Sequence, residues 1–120
     1  MLSPVDETHE RATEFTAGFN GTMVTTDWVL TELADGLSRA RTRRTLIRLV
    51  DCLRIDPAVR IVPASRRLLE RGWELYRRRP DKEWSLTDCV SFIVMKDGAM
   101  ADALTGDQHF EQAGFRALLK

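Results

Sequence analysis

Short β-branched runs alternate with longer amphipathic stretches along this chain, and that alternation restricts its fold more than any other feature. Residues 22–26 (Thr-Met-Val-Thr-Thr) and 59–62 (Val-Arg-Ile-Val) read as strands, the second closed by Pro63. Residues 100–104 and 115–119 read as two more. Between them the period changes to that of helices. Ala12, Phe15 and Phe19 predict a helix over 6–19 that ends at Asn20-Gly21. Asp27 is placed to cap a helix over 28–37, with Val29, Leu30, Leu33 and Leu37 on one side. Residues 42–55 form a basic amphipathic helix with Leu46, Leu49, Val50 and Leu53 inward. Ser65 opens a helix towards Arg79 that is expected to bury Leu68, Leu69, Trp73 and Tyr76. Ser85 opens another, to about Asp97, and residues 107–112 make a turn or short helix. Strands alternating with helices require crossover connections, so the expected class is α/β with a mostly parallel sheet covered on both faces.

The chain has 120 residues, enough for one small domain with its own core, and no repeat or linker divides residues 1–120. Its 18 basic and 18 acidic residues balance, so net charge does not identify a partner. Their distribution is more informative: Arg39, Arg41, Arg43, Arg44 and Arg48 crowd one segment, and Arg66, Arg67, Arg71, Arg77, Arg78 and Arg79 another. Such helices are either solvated faces or a surface for nucleic acid. Cys52 and Cys89 stand among Leu, Val and Ile and read as small buried hydrophobes. His9 and His109 have no cysteine or histidine at ligand spacing, which argues against zinc. No apolar run is long enough to span a membrane, and residues 1–20 are too polar for a signal peptide. A cytoplasmic setting is expected.

Three acids fall just after a strand or at the opening of the next helix, where open parallel sheets place their sites: Glu32, Asp88 and Asp107. Each has a structural explanation. Glu32 could be a surface charge, although it falls between Trp28 and Val29 on a helical wheel. Asp88 completes a capping box with Ser85, and Asp107 suits an N-cap before Phe110. Gathered in one cleft, they would repel each other until a hard divalent cation relieved the repulsion. Mg²⁺ or Mn²⁺ there would polarise a phosphate and activate water, and arginines would hold the backbone.

Three stretches carry a family resemblance. Thr26-Asp-Trp-Val-Leu-Thr-Glu32, Trp84-Ser-Leu-Thr-Asp-Cys-Val-Ser-Phe92 and Ala103-Leu-Thr-Gly-Asp-Gln-His-Phe110, the last followed by Gly114-Phe115, resemble in order and spacing the signatures of the PIN-domain (PilT N-terminus, VapC-type) ribonuclease toxins. The similarity covers roughly residues 6–120. It implies a three-layer α/β/α sandwich and Mg²⁺- or Mn²⁺-dependent hydrolysis of RNA. Glu32, Asp88 and Asp107 would be metal ligands, directly or through water, with Thr26 and Thr105 as supporting hydroxyls. Arg43, Arg44, Arg66 and Arg67 are the candidate RNA contacts. Relatives are commonly held silent by an antitoxin protein, and many form homodimers.

The chain also departs from that family. Its members open on a hydrophobic strand ending in an aspartate, whereas residues 1–12 here resemble the loop and helix that follow it. The first strand and first aspartate are therefore expected to be missing, through a late start in a longer gene or in a true remnant. In a remnant, a rearranged sheet, an exchanged element or a partner chain would have to fill the gap. Two other readings use the same features. One is an inactive module that binds protein or RNA. The other is a phosphoacceptor receiver domain, but that needs an aspartate where Arg60-Ile-Val62 runs into Pro63-Ala64.

Overall fold

The computed structural model describes residues 23–119, so the helix expected over 6–19 lies outside the described residues. The elements are β1 (Met23–Thr26), α1 (Asp27–Gly36), α2 (Ala40–Ile55), β2 (Val59–Val62), α3 (Arg66–Arg78), α4 (Leu86–Asp97), β3 (Asp102–Ala103), α5 (Gln108–Gln112) and β4 (Arg116–Ala117). The class is α/β, as expected, and both strand pairings are parallel: β1 with β2, from Met23 opposite Val59 to Thr26 opposite Val62, and β3 with β4. Among the described residues, however, these are two separate two-stranded sheets. The last two strands are also shorter than their β-branched and apolar runs suggested.

Local chemistry explains where the helices begin. Thr26 is extended and its hydroxyl accepts from the Val29 amide at 3.2 Å, so Thr26 caps α1 in place of the expected Asp27. Asp27 instead accepts from the Ala64 amide at 2.8 Å, tying the start of α1 to the loop after β2. Ser65 caps α3 as its position predicts. On that helix Gly72 faces α4: a methyl group there would meet Val90 Cγ2 at 2.6 Å. The contact stripe therefore passes through Gly72, with Leu68 and Leu75 packed against the core. Trp73 and Tyr76, expected inside, remain 37% and 44% exposed and meet each other edge to face. Cys52 is likewise exposed, whereas Cys89 is buried as expected.

The core is centred on Phe92 of α4, which makes edge-to-face contacts with Trp84 at 5.0 Å and Phe110 at 4.8 Å between ring centroids. Such pairs add about 0.5–1.5 kcal/mol each beyond area burial. Phe92 lies one turn after Asp88, and Phe110 three residues after Asp107. The aromatic contact that holds α5 against α4 thus also fixes where the two aspartates sit relative to each other.

Candidate metal centre

The three predicted acids come from three different helices. Asp88 occupies the third position of α4, inside a capping box: the Ser85 hydroxyl accepts from the Asp88 amide at 3.0 Å, and Asp88 Oδ2 accepts from the Ser85 amide at 3.1 Å. The residue is only 8% exposed. Burial pushes its carboxyl above the ordinary aspartate range, opposed by the Ser85 amide and by His109. The structural and functional readings of Asp88 are therefore compatible, because one oxygen caps the helix while the carboxyl group is largely desolvated.

Asp107 follows β3 and caps α5, where its Oδ1 accepts from the His109 amide at 2.8 Å. Its own amide donates to Thr105 Oγ1 at 3.0 Å. The two expected supporting hydroxyls thus act on backbone: Thr26 caps the helix that carries Glu32, and Thr105 fixes the turn into Asp107. Both threonines are fully buried.

Glu32 lies on α1 and counts as exposed over its whole surface. Its carboxyl end behaves otherwise. Partial desolvation is the largest influence raising its proton affinity; a hydrogen bond with Thr87 opposes it, and the charges of Asp88, Asp35 and Asp107 add to it. The residue is thus open along its stem and partly desolvated at its carboxyl end. Glu32 and Thr87 share the lining of an open depression with Asp27, Trp28 and Asp35. Glu32 therefore feels the charge of both aspartates, and Asp88 that of Asp107.

Sequence reasoning passed over the fourth member. His109 Nδ1 lies 3.1 Å from Asp88 Oδ2 and 3.5 Å from Asp107 Oδ1. One donor atom from each of Asp88, Asp107 and His109 falls within 4.8 Å of the others, a group able to hold a metal ion. Its partners are carboxylates rather than cysteine or histidine, and one of them is 21 residues away. The available signal was Asp107-Gln-His109, which puts an imidazole two residues after a capping carboxylate.

The predicted RNA-contacting arginines stand on α2 and α3, all exposed. Arg43 Nε donates to the Ser38 carbonyl at 3.1 Å, and Arg66 pairs with Glu70 at 3.4 Å. Closer in sequence to the acids, Tyr76, Arg77, Arg79, Lys82 and Trp84 line a cleft that reaches Ser85, the cap of α4. Among the described residues no helix is long and apolar enough to cross a membrane.

A family model described as PIN domain matches residues 5–116. The 23S rRNA-specific endonuclease VapC20 of Mycobacterium tuberculosis, from strain CDC 1551 / Oshkosh and from strain H37Rv, is 29% identical over 110 residues, 92% of this chain and 83% of the relative. A crystal structure of Mycobacterium tuberculosis VapC20, described as a Sarcin-Ricin loop cleaving toxin, superposes with a TM-score of 0.78 at 29% identity, covering 92% of this chain and 84% of that one.

Proposed function

The chain belongs to the PIN domain family, and from that premise we propose that it is a metal-dependent endoribonuclease, the toxin of a toxin–antitoxin pair, with residues 1–120 acting as one domain. The observation that carries this reading is the convergence of Asp88 and Asp107, with Glu32 close enough for its proton affinity to respond to both. Like charges are kept together at a cost unless a cation neutralises them.

Carboxylate oxygens suit Mg²⁺ or Mn²⁺, and either ion, once bound, polarises a phosphate oxygen and lowers the pKa of a water. In this assignment Asp88 and Asp107 would hold the ion, and Glu32 would reach it directly or through a water. The Ser85 amide and Thr105 hydroxyl keep the two aspartates in place. Arg77, Arg79 and Lys82, beside Tyr76, line the approach to Ser85 and are suited to bind phosphates and stack a base. Arg43, Arg44, Arg66 and Arg67 extend the basic surface. An antitoxin partner, a homodimer and a cytoplasmic location belong to the same proposal, and they rest on the resemblance to toxins of this type.

The similarity to a 23S rRNA-specific endonuclease supports ribosomal RNA as the substrate class. The test is to incubate the protein, with Mg²⁺ or Mn²⁺, with a synthetic sarcin–ricin loop RNA and with an unrelated hairpin of equal length. Preferential cutting of the loop supports the assignment. Equal cutting of both would keep the nuclease and remove the substrate. No cutting of either RNA would count against the nuclease itself.

A further inference from the structure

His109 is the one member of this cluster whose chemistry differs from that of its neighbours. Its ring nitrogen sits where an ion shared by Asp88 and Asp107 would be met: 3.1 Å from one carboxylate oxygen and 3.5 Å from the other. In octahedral coordination with bonds of about 2.1 Å, adjacent ligand atoms lie about 3 Å apart. Nδ1 is close to that edge length from Asp88 Oδ2, at 3.1 Å, and somewhat beyond it from Asp107 Oδ1, at 3.5 Å.

The placement is also held from several sides. The His109 amide donates to Asp107 Oδ1 at 2.8 Å, so backbone and ring of one residue both address the same carboxylate. Phe110, the next residue, is fully buried against Phe92, which anchors the short helix at that point. Asp88 is restrained at the same carboxylate oxygen by the Ser85 amide. The His109 side chain is 23% exposed, so water and ions can reach it.

We propose that His109 Nδ1 is a direct ligand of the ion held by Asp88 and Asp107, giving the centre a mixed nitrogen and oxygen donor set that selects first-row transition ions such as Mn²⁺ over Mg²⁺. The inference rests on the metal-dependent reading above. Its chemical basis is general: Mg²⁺ prefers oxygen donors and dehydrates reluctantly, whereas imidazole binds transition ions well. For Nδ1 to ligate it must carry no proton, so the ring proton resides on Nε2. The competing role for this histidine is to hold Asp88 through an Nδ1–H hydrogen bond, as a positioning residue that never touches the ion.

Pulsed electron paramagnetic resonance on the Mn²⁺-loaded protein separates the two roles, combined with Mn²⁺ binding and its competition by Mg²⁺ in wild type, His109→Gln and Asp88→Asn. Direct ligation predicts ¹⁴N modulation from a coordinated imidazole in wild type and its loss in His109→Gln. Removing a partner outside the coordination shell typically weakens metal binding by about 10–100-fold, so Mn²⁺ affinity should fall at least about tenfold. Mg²⁺ affinity should fall distinctly less. Mn²⁺ bound without ¹⁴N modulation, or Mn²⁺ and Mg²⁺ affinities falling by the same factor, would overturn the proposal and leave the carboxylate site standing. Mn²⁺ binding unaltered by Asp88→Asn, or no bound Mn²⁺ in wild type, would overturn the metal-centre assignment and this proposal with it.

Discussion

Oδ2 of Asp88 lies 3.1 Å from Nδ1 of His109 and accepts the Ser85 amide at the same distance. One carboxylate oxygen is therefore the joint between the cap of α4 and the first turn of α5. Capping interactions and one aromatic pair hold the acids together. The bidentate ion pairs of the described residues, such as Arg79 with Asp81 and Arg116 with Asp102, lie on the surface.

Ser85→Ala removes the hydroxyl that accepts the Asp88 amide, while the Ser85 backbone amide still reaches Oδ2. Loss of such a cap typically costs about 0.5–2 kcal/mol. Chemical denaturation should show a loss in that range, and calorimetric titration should show a smaller loss of ion affinity than Asp88→Asn causes. A variant as stable as wild type would remove the cap from this account.

The pH dependence of the metal-free protein follows from the raised proton affinity of Asp88. A carboxyl whose pKa is higher in the folded state binds its proton more tightly there. Its contribution to stability is present in full below the unfolded pKa and is lost as pH rises through the folded one. With a chelator present, the melting temperature of wild type should therefore fall relative to that of Asp88→Asn as pH climbs from below the ordinary aspartate range to above the raised value. Parallel curves for the two proteins would mean that Asp88 is not a desolvated anion.

Phe110→Leu removes the edge contact with Phe92 and leaves a partly filled site. Beyond the roughly 0.5–1.5 kcal/mol of the aromatic pair, the packing loss should lower stability further. Because this contact sets the spacing of Asp88 and Asp107, ion affinity measured well below the melting temperature should fall as well. Lower stability with unchanged affinity would show that the caps alone position the acids.

Much of this was legible in the sequence, for local reasons. The caps at Ser65, Ser85 and Asp107 depend on side chains within three residues of the backbone they satisfy, so spacing alone finds them. The strand over 59–62 and the parallel pairing follow from β-branched runs alternating with helices. Tertiary contact decided the rest. Trp73 and Tyr76 have the periodicity of buried residues, but α3 turns Gly72 to α4 because only that position lets the two helices approach so closely. Thr26 displaced Asp27 as the cap because Asp27 has a distant partner in the Ala64 amide. His109 joined the centre through two carboxylates: the spacing to Asp107 is local, but the contact with Asp88, 21 residues away on another helix, is one that no local rule detects.

The most direct test of the central claim is RNA cleavage by wild type, Glu32→Gln, Asp88→Asn and Asp107→Asn, each in Mg²⁺, in Mn²⁺ and with chelator, after circular dichroism has confirmed that every variant is folded. The account predicts cleavage by wild type only when a divalent ion is present, and a loss of at least about a hundredfold in each variant, the scale expected when a group stabilising charge in the transition state is removed. Chelator-resistant cleavage by wild type, or full cleavage by folded Glu32→Gln and Asp88→Asn proteins, would contradict it.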